Sequence, residues 1–125
     1  MTHLIVDIFH ISSLEADGEL LVEPCKGERL LRKICDAVKM EVIGDFHSHQ
    51  FEENPAKGWQ GNGYTTVGLL STSHISIHTF PEHDGCQFDL FSCEDFSYSK
   101  VIEILRETFG KTADYKIHLI DRDIV

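Results

Sequence analysis

Tyr64-Thr65-Thr66-Val67-Gly68-Leu69-Leu70-Ser71-Thr72-Ser73-His74-Ile75-Ser76-Ile77-His78-Thr79-Phe80 decides the fold class. β-branched and apolar residues fill Tyr64 to Ser71 and again His74 to Phe80, with only the short Thr72-Ser73 junction between them. Two such runs with so little between them read as neighbouring antiparallel strands. Upstream, His3 to Phe9 reads as a first strand and Glu41 to His47 as a second. Downstream, Cys86 to Ser92 and Tyr115 to Ile120 supply two more. Leu30, Leu31, Ile34, Cys35 and Val38 recur at helical spacing within Glu28 to Met40. Ser97 suits an N-cap for a second helix through Phe109, with Gly110 as its C-cap. Residues 11–23 and the glycine-rich 50–63 read as loops.

The order is therefore β-α-β-β-β-β-α-β in one domain spanning residues 1–125. The expected fold class is α+β: a two-layer α/β sandwich, with a mainly antiparallel sheet and two helices on one face. The other face needs a cover, and a second copy of the chain is the simplest one.

A net charge of −10 argues against nucleic acid and against an anionic membrane surface, and suits a cationic ligand. No apolar run reaches the roughly eighteen residues of a membrane span, and Met1-Thr2-His3-Leu4 has no basic leader character. Cys25, Cys35, Cys86 and Cys93 lack any CxxC spacing, so reduced thiols and a cytoplasmic setting are expected. His47 and His49 share a strand face, as do His74 and His78, but no cysteine stands at a usual spacing beside them. No metal site is expected.

The chemistry concentrates around the same hairpin. A serine hydroxyl at Ser73 can attack the Thr72 carbonyl if the turn exposes it, given a base and donors for the oxyanion. His78 is the available base, since an imidazole is largely neutral near pH 7. Ser73-His74-Ile75-Ser76-Ile77-His78-Thr79-Phe80-Pro81-Glu82, with Cys93 twenty residues after Ser73, resembles the processing segment of the S-adenosylmethionine decarboxylases. The pattern of that family reads Glu-Ser-His-hydrophobic-Ser/Thr-Ile-His-Thr-Trp-Pro-Glu. The resemblance extends to the strand His3-Leu4-Ile5-Val6 and to Gly63, ten residues before the serine.

The resemblance implies a proenzyme that cuts itself between Thr72 and Ser73 into a β chain (1–72) and an α chain (73–125). Ser73 would become a pyruvoyl group, a cofactor made from the chain itself, which takes the substrate amine and acts as the electron sink for decarboxylation. It assigns Thr65 to the processing machinery, Cys93 to protonation of the product carbon, Trp59 to the adenine and Glu82 to the ribose hydroxyls. A homodimer of processed protomers, with active sites near the interface, is implied too. The product would be the aminopropyl donor for spermidine synthesis.

Three positions depart from the family pattern: Thr72 for Glu, Phe80 for Trp, and Glu94 for the Gly that usually follows the cysteine. Two alternatives stay open, the first of them motivated by Thr72. One is a pyruvoyl decarboxylase of arginine or ornithine on the same scaffold; the other is an unprocessed homologue that binds ligand or regulates without catalysis.

Overall fold

The computed structural model describes residues 1–123; the last two residues of the expected α chain lie outside the described residues. Six strands form one sheet: β1 (Thr2–Phe9), β2 (Val42–Gln50), β3 (Tyr64–Leu70), β4 (Ser73–Phe80), β5 (Gly85–Ser92) and β6 (Asp114–Asp121). Their spatial order is β2-β3-β4-β5-β1-β6, and every neighbouring pair is antiparallel. Among the described residues there are two α-helices, α1 (Pro24–Ala37) and α2 (Tyr98–Phe109), besides three short 3-10 turns. This is the expected α+β sandwich.

Alternation along the strands decides which face is covered. Leu4, Val6 and Ile8 of β1, Ile75 and Ile77 of β4, and Phe88 and Leu90 of β5 are essentially inaccessible. They form one core with Leu30, Leu31 and Ile34 of α1 and Val101, Leu105 and Phe109 of α2. Each large apolar side chain removed from water there contributes roughly 1.5–3 kcal/mol. On the opposite face nothing among the described residues covers the sheet. Ile43, Val67, Leu69 and Ile120 are 37–56% exposed there, beside His47, His74 and His78.

Helix α2 follows its sequence signals: the Ser97 side chain accepts from the Lys100 N–H, and the Gly110 N–H closes on the Arg106 carbonyl. Helix α1 begins four residues earlier than its apolar spacing indicates. Pro24 occupies its first turn, where the missing N–H costs nothing. It also stops sooner, because the Met40 N–H bonds back to the Cys35 carbonyl across Lys39, which takes a φ of +60°. Gly27 lies inside α1 because the Tyr64 ring packs there; an added Cβ would sit 2.3 Å from the tyrosine oxygen. That hydroxyl in turn donates to the Leu20 carbonyl. Strand β2 runs three residues past His47. A register shift between Ile43 and His47, with Gly44 at φ +70°, breaks its alternation.

Candidate active site at the two ends of one strand

At its N-terminal end, β4 starts at Ser73, which pairs with Leu70 of β3 and with Ser92 of β5. Ser71 and Thr72 alone join β3 to β4. Two-residue hairpins favour turns with positive φ, supplied by Gly, Asn or Asp. Neither Ser71 nor Thr72 has one, so this turn is held by bonds from outside itself. The Cys93 N–H donates to the Thr72 carbonyl at 2.9 Å. Ser92, fully buried, donates its hydroxyl to Thr72 Oγ1 at 3.1 Å and accepts the Glu94 N–H at 3.0 Å. The carbonyl preceding Ser73 thus faces a fixed backbone donor, the arrangement an oxyanion on that carbonyl needs. The Cys93 side chain is exposed, so one residue offers the turn its backbone N–H and the solvent side its thiol.

At the C-terminal end of β4, His78 pairs with Thr65 across the β3–β4 ladder, and Thr65 Oγ1 lies 2.5 Å from His78 Nδ1. The imidazole sits between Phe51, with ring centres 5.4 Å apart, and Phe80, at 4.5 Å. Burial among these rings pushes His78 below the ordinary histidine range, and the Glu82 carboxylate partly opposes the shift. A neutral ring with one nitrogen turned to Thr65 keeps the other free to take a proton. Beside it opens a cleft of about 520 Å³ lined by Phe51, Trp59, Gly63, Phe80 and Glu82. Trp59 is tethered by paired backbone bonds to Asn54 and stays half exposed; Lys57 Nζ approaches its ring to 4.8 Å. Glu82 projects from the turn Pro81–His83. Gly63 has to be glycine here, since a Cβ would lie 2.6 Å from the Thr79 carbonyl.

The structure therefore brings Thr72, Ser73 and Cys93 together, and separately Thr65, His78, Trp59 and Glu82. It does not bring Ser73 to His78. Five residues of extended strand separate them by about 17 Å. Ser73 also pairs with residues buried under the helices, whereas His78 faces the open side. Within one chain, His78 cannot take the Ser73 proton. Three lining or positioning residues carry no signal in the sequence: Phe51, which sits in a loop; His83, on the rim of the cleft; and Ser92, which reads as an ordinary strand-end serine.

A family model described as S-adenosylmethionine decarboxylase matches residues 2–123. The S-adenosylmethionine decarboxylase proenzyme of Hydrogenobaculum sp. (strain Y04AAS1) is 31% identical over 98% of this chain and 81% of its own length. Its counterpart from Archaeoglobus fulgidus is 27% identical over 96% of this chain and 95% of its own. The crystal structure of the adenosylmethionine decarboxylase from Aquifex aeolicus VF5 superposes with a TM-score of 0.69 at 28% identity, covering 99% of this chain and 91% of that one.

Proposed function

The chain belongs to the S-adenosylmethionine decarboxylase family, and we propose that it is a self-processing, pyruvoyl-dependent decarboxylase of S-adenosylmethionine. The observation that carries this reading is the Cys93 N–H on the Thr72 carbonyl, one bond away from Ser73. Ser73 Oγ attacks the Thr72 carbonyl carbon, and charge developing on its oxygen meets a donor already in place. The Thr72–Ser73 C–N bond breaks, leaving an ester and a free amine. Loss of the Ser73 α-proton expels the Thr72 carboxylate, and water converts the resulting dehydroalanine to a pyruvoyl group and ammonia. The Thr72 carbonyl, already at the Cys93 N–H, suits a group generated in this way at Ser73. Once formed, that ketone supplies the electron sink for decarboxylation.

The remaining chemistry belongs to side chains. Cys93, on the exposed side of the turn, delivers a proton to the product carbon. The indole of Trp59 meets the purine face and the sulfonium charge, the cationic feature that a chain of net charge −10 favours. The Glu82 carboxylate accepts the two ribose hydroxyls. The product is the aminopropyl donor for spermidine synthesis, and the setting is cytoplasmic.

His78 and Thr65 join this scheme through a second copy of the chain. The uncovered sheet face carries His74 and His78 of β4 and four exposed aliphatic side chains, Ile43, Val67, Leu69 and Ile120, with the Ser73 turn at its edge. Two such faces, packed around a two-fold axis with their β4 strands antiparallel, set the Ser73 end of one copy over the His78 end of the other. A two-fold interface makes two identical composite sites. Each then has a hydroxyl, a carbonyl donor, a neutral imidazole and an aromatic cleft.

Denaturing mass spectrometry tests the reading. Purified protein is expected to appear as residues 1–72 and 73–125, the second blocked to Edman degradation and labile to borohydride. Carbon dioxide is expected from carboxyl-labelled S-adenosylmethionine, and not from arginine, ornithine or lysine. A chain that stays whole removes the processing. Release from an amino acid instead removes the substrate and leaves the cofactor.

A further inference from the structure

Thr72 stands where the family pattern has glutamate, and its hydroxyl is held by a serine whose role the reaction scheme leaves open. We propose that Ser92 is a positioning residue for self-cleavage, acting through the Thr72 hydroxyl to hold the scissile carbonyl against the Cys93 N–H. The proposal rests on the self-processing reading above.

Ser92 ends β5 directly across from Ser73, and its side chain is wholly buried. Its hydroxyl has one hydrogen. Because Ser92 Oγ accepts the Glu94 N–H at 3.0 Å, that hydrogen is free for Thr72 Oγ1, 3.1 Å away. The relay runs in one direction, from the Glu94 N–H through Ser92 to Thr72. A β-branched residue with its oxygen so anchored is confined at χ1, and rotation about its backbone is damped with it. The next residue of the same strand end, Cys93, donates to the Thr72 carbonyl. Thr72 is thus held at both side chain and carbonyl by three successive residues, 92 to 94, in a turn whose own residues lack the φ values of a two-residue hairpin.

In the step itself, the Ser73 Oγ–Thr72 C bond forms, the Thr72 C–Ser73 N bond breaks, and the hydroxyl proton ends on the freed amine. Neither Ser92 nor Thr72 Oγ1 exchanges a bond or a proton. Their contribution is to keep the carbonyl oxygen at its donor while charge builds. The relay also accounts for a processing turn without an acidic residue at 72: a hydroxyl there has a dedicated partner.

Cell-free synthesis, followed by a time course of the 1–72 and 73–125 pieces on denaturing gels, measures the cut from its start. Ser92→Ala and Thr72→Val are each expected to slow it about three- to tenfold, the worth of one neutral hydrogen bond. The double variant is expected to be no slower than either single one, and Thr72→Ser, which keeps the hydroxyl, to cut at nearly the parent rate. Thermal unfolding of the same variants on a Ser73→Ala background reads folding apart from the cut. Loss of rate with unfolding unchanged supports positioning. Parent-rate cutting by Ser92→Ala, or slowing that multiplies in the double variant, overturns the proposal. A parent chain that never cuts overturns the processing reading, and this proposal falls with it.

Discussion

The two ends of β4 are built by different means. At Ser73 the work is done by main chain and small hydroxyls: one N–H on one carbonyl, one serine on one threonine. At His78 it is done by rings: Phe51, Phe80 and Trp59 around an imidazole held by Thr65. The first end suits a reaction on the chain itself, where bond geometry decides. The second suits holding a flat, cationic ligand and keeping a histidine neutral. In the proposed dimer, their separation along one strand makes each half of a site.

Ser73→Ala should give the largest effect and the cleanest division. Cleavage, followed by mass, is expected to vanish, while quenching of the single tryptophan by S-adenosylmethionine persists. Loss of binding as well would tie the aromatic end to the cut. Next comes Cys93→Ala. Its backbone N–H survives, so the chain is expected to process, whereas turnover falls by about 10²–10⁴, the usual contribution of a positioned acid. Wild-type turnover would take the thiol out of the reaction.

Trp59→Ala isolates the other end. Removing one stacking surface, worth about 1–3 kcal/mol, should raise KM by roughly ten- to a hundredfold and leave the cut at its normal rate. Slower processing in that variant would contradict the division of labour. The smallest effect is on pH. His78 titrates below the ordinary histidine value of about 6.5 because of burial. The processing rate should therefore be flat from pH 8 through 6.5 and decline only below it, as the imidazole gains its proton. Glu82 holds the value up, so Glu82→Gln should move the decline to still lower pH. A move towards neutrality would show that the carboxylate acts otherwise.

The Ser73–Cys93 offset entered through the family pattern, and the fold shows why it works: two strands of equal length convert twenty residues into adjacency, with Ser73 facing Ser92 and Cys93 following it. The five-residue offset from Ser73 to His78 has no such conversion. On one extended strand it stays a distance, and only topology reveals that. Strands β3 and β4 declared themselves through β-branched residues, and β5 through its alternation. The tail of β2, Ser48 to Gln50, did not, since a bulge and an exposed edge leave it polar. Helix α1 departs from its apolar spacing at both ends for local reasons: a proline that starts it, and a left-handed lysine where glycine is usual. Phe51 joined the cleft through a loop closed by its own N–H on Gly63, a contact without sequence period.

Mixed dimers test the central claim, that neither end suffices without the other end of a second chain. Ser73→Ala and His78→Ala chains, each inert alone, are to be co-expressed with different tags, and the doubly tagged species isolated and analysed by denaturing mass spectrometry. Such a dimer holds one site with both lesions and one with none. The account predicts that the His78→Ala chain, whose Ser73 is intact, is cut in the mixed dimer, and that the Ser73→Ala chain stays whole. Absence of any cut in the mixed dimer, or full cleavage of His78→Ala on its own, would contradict it.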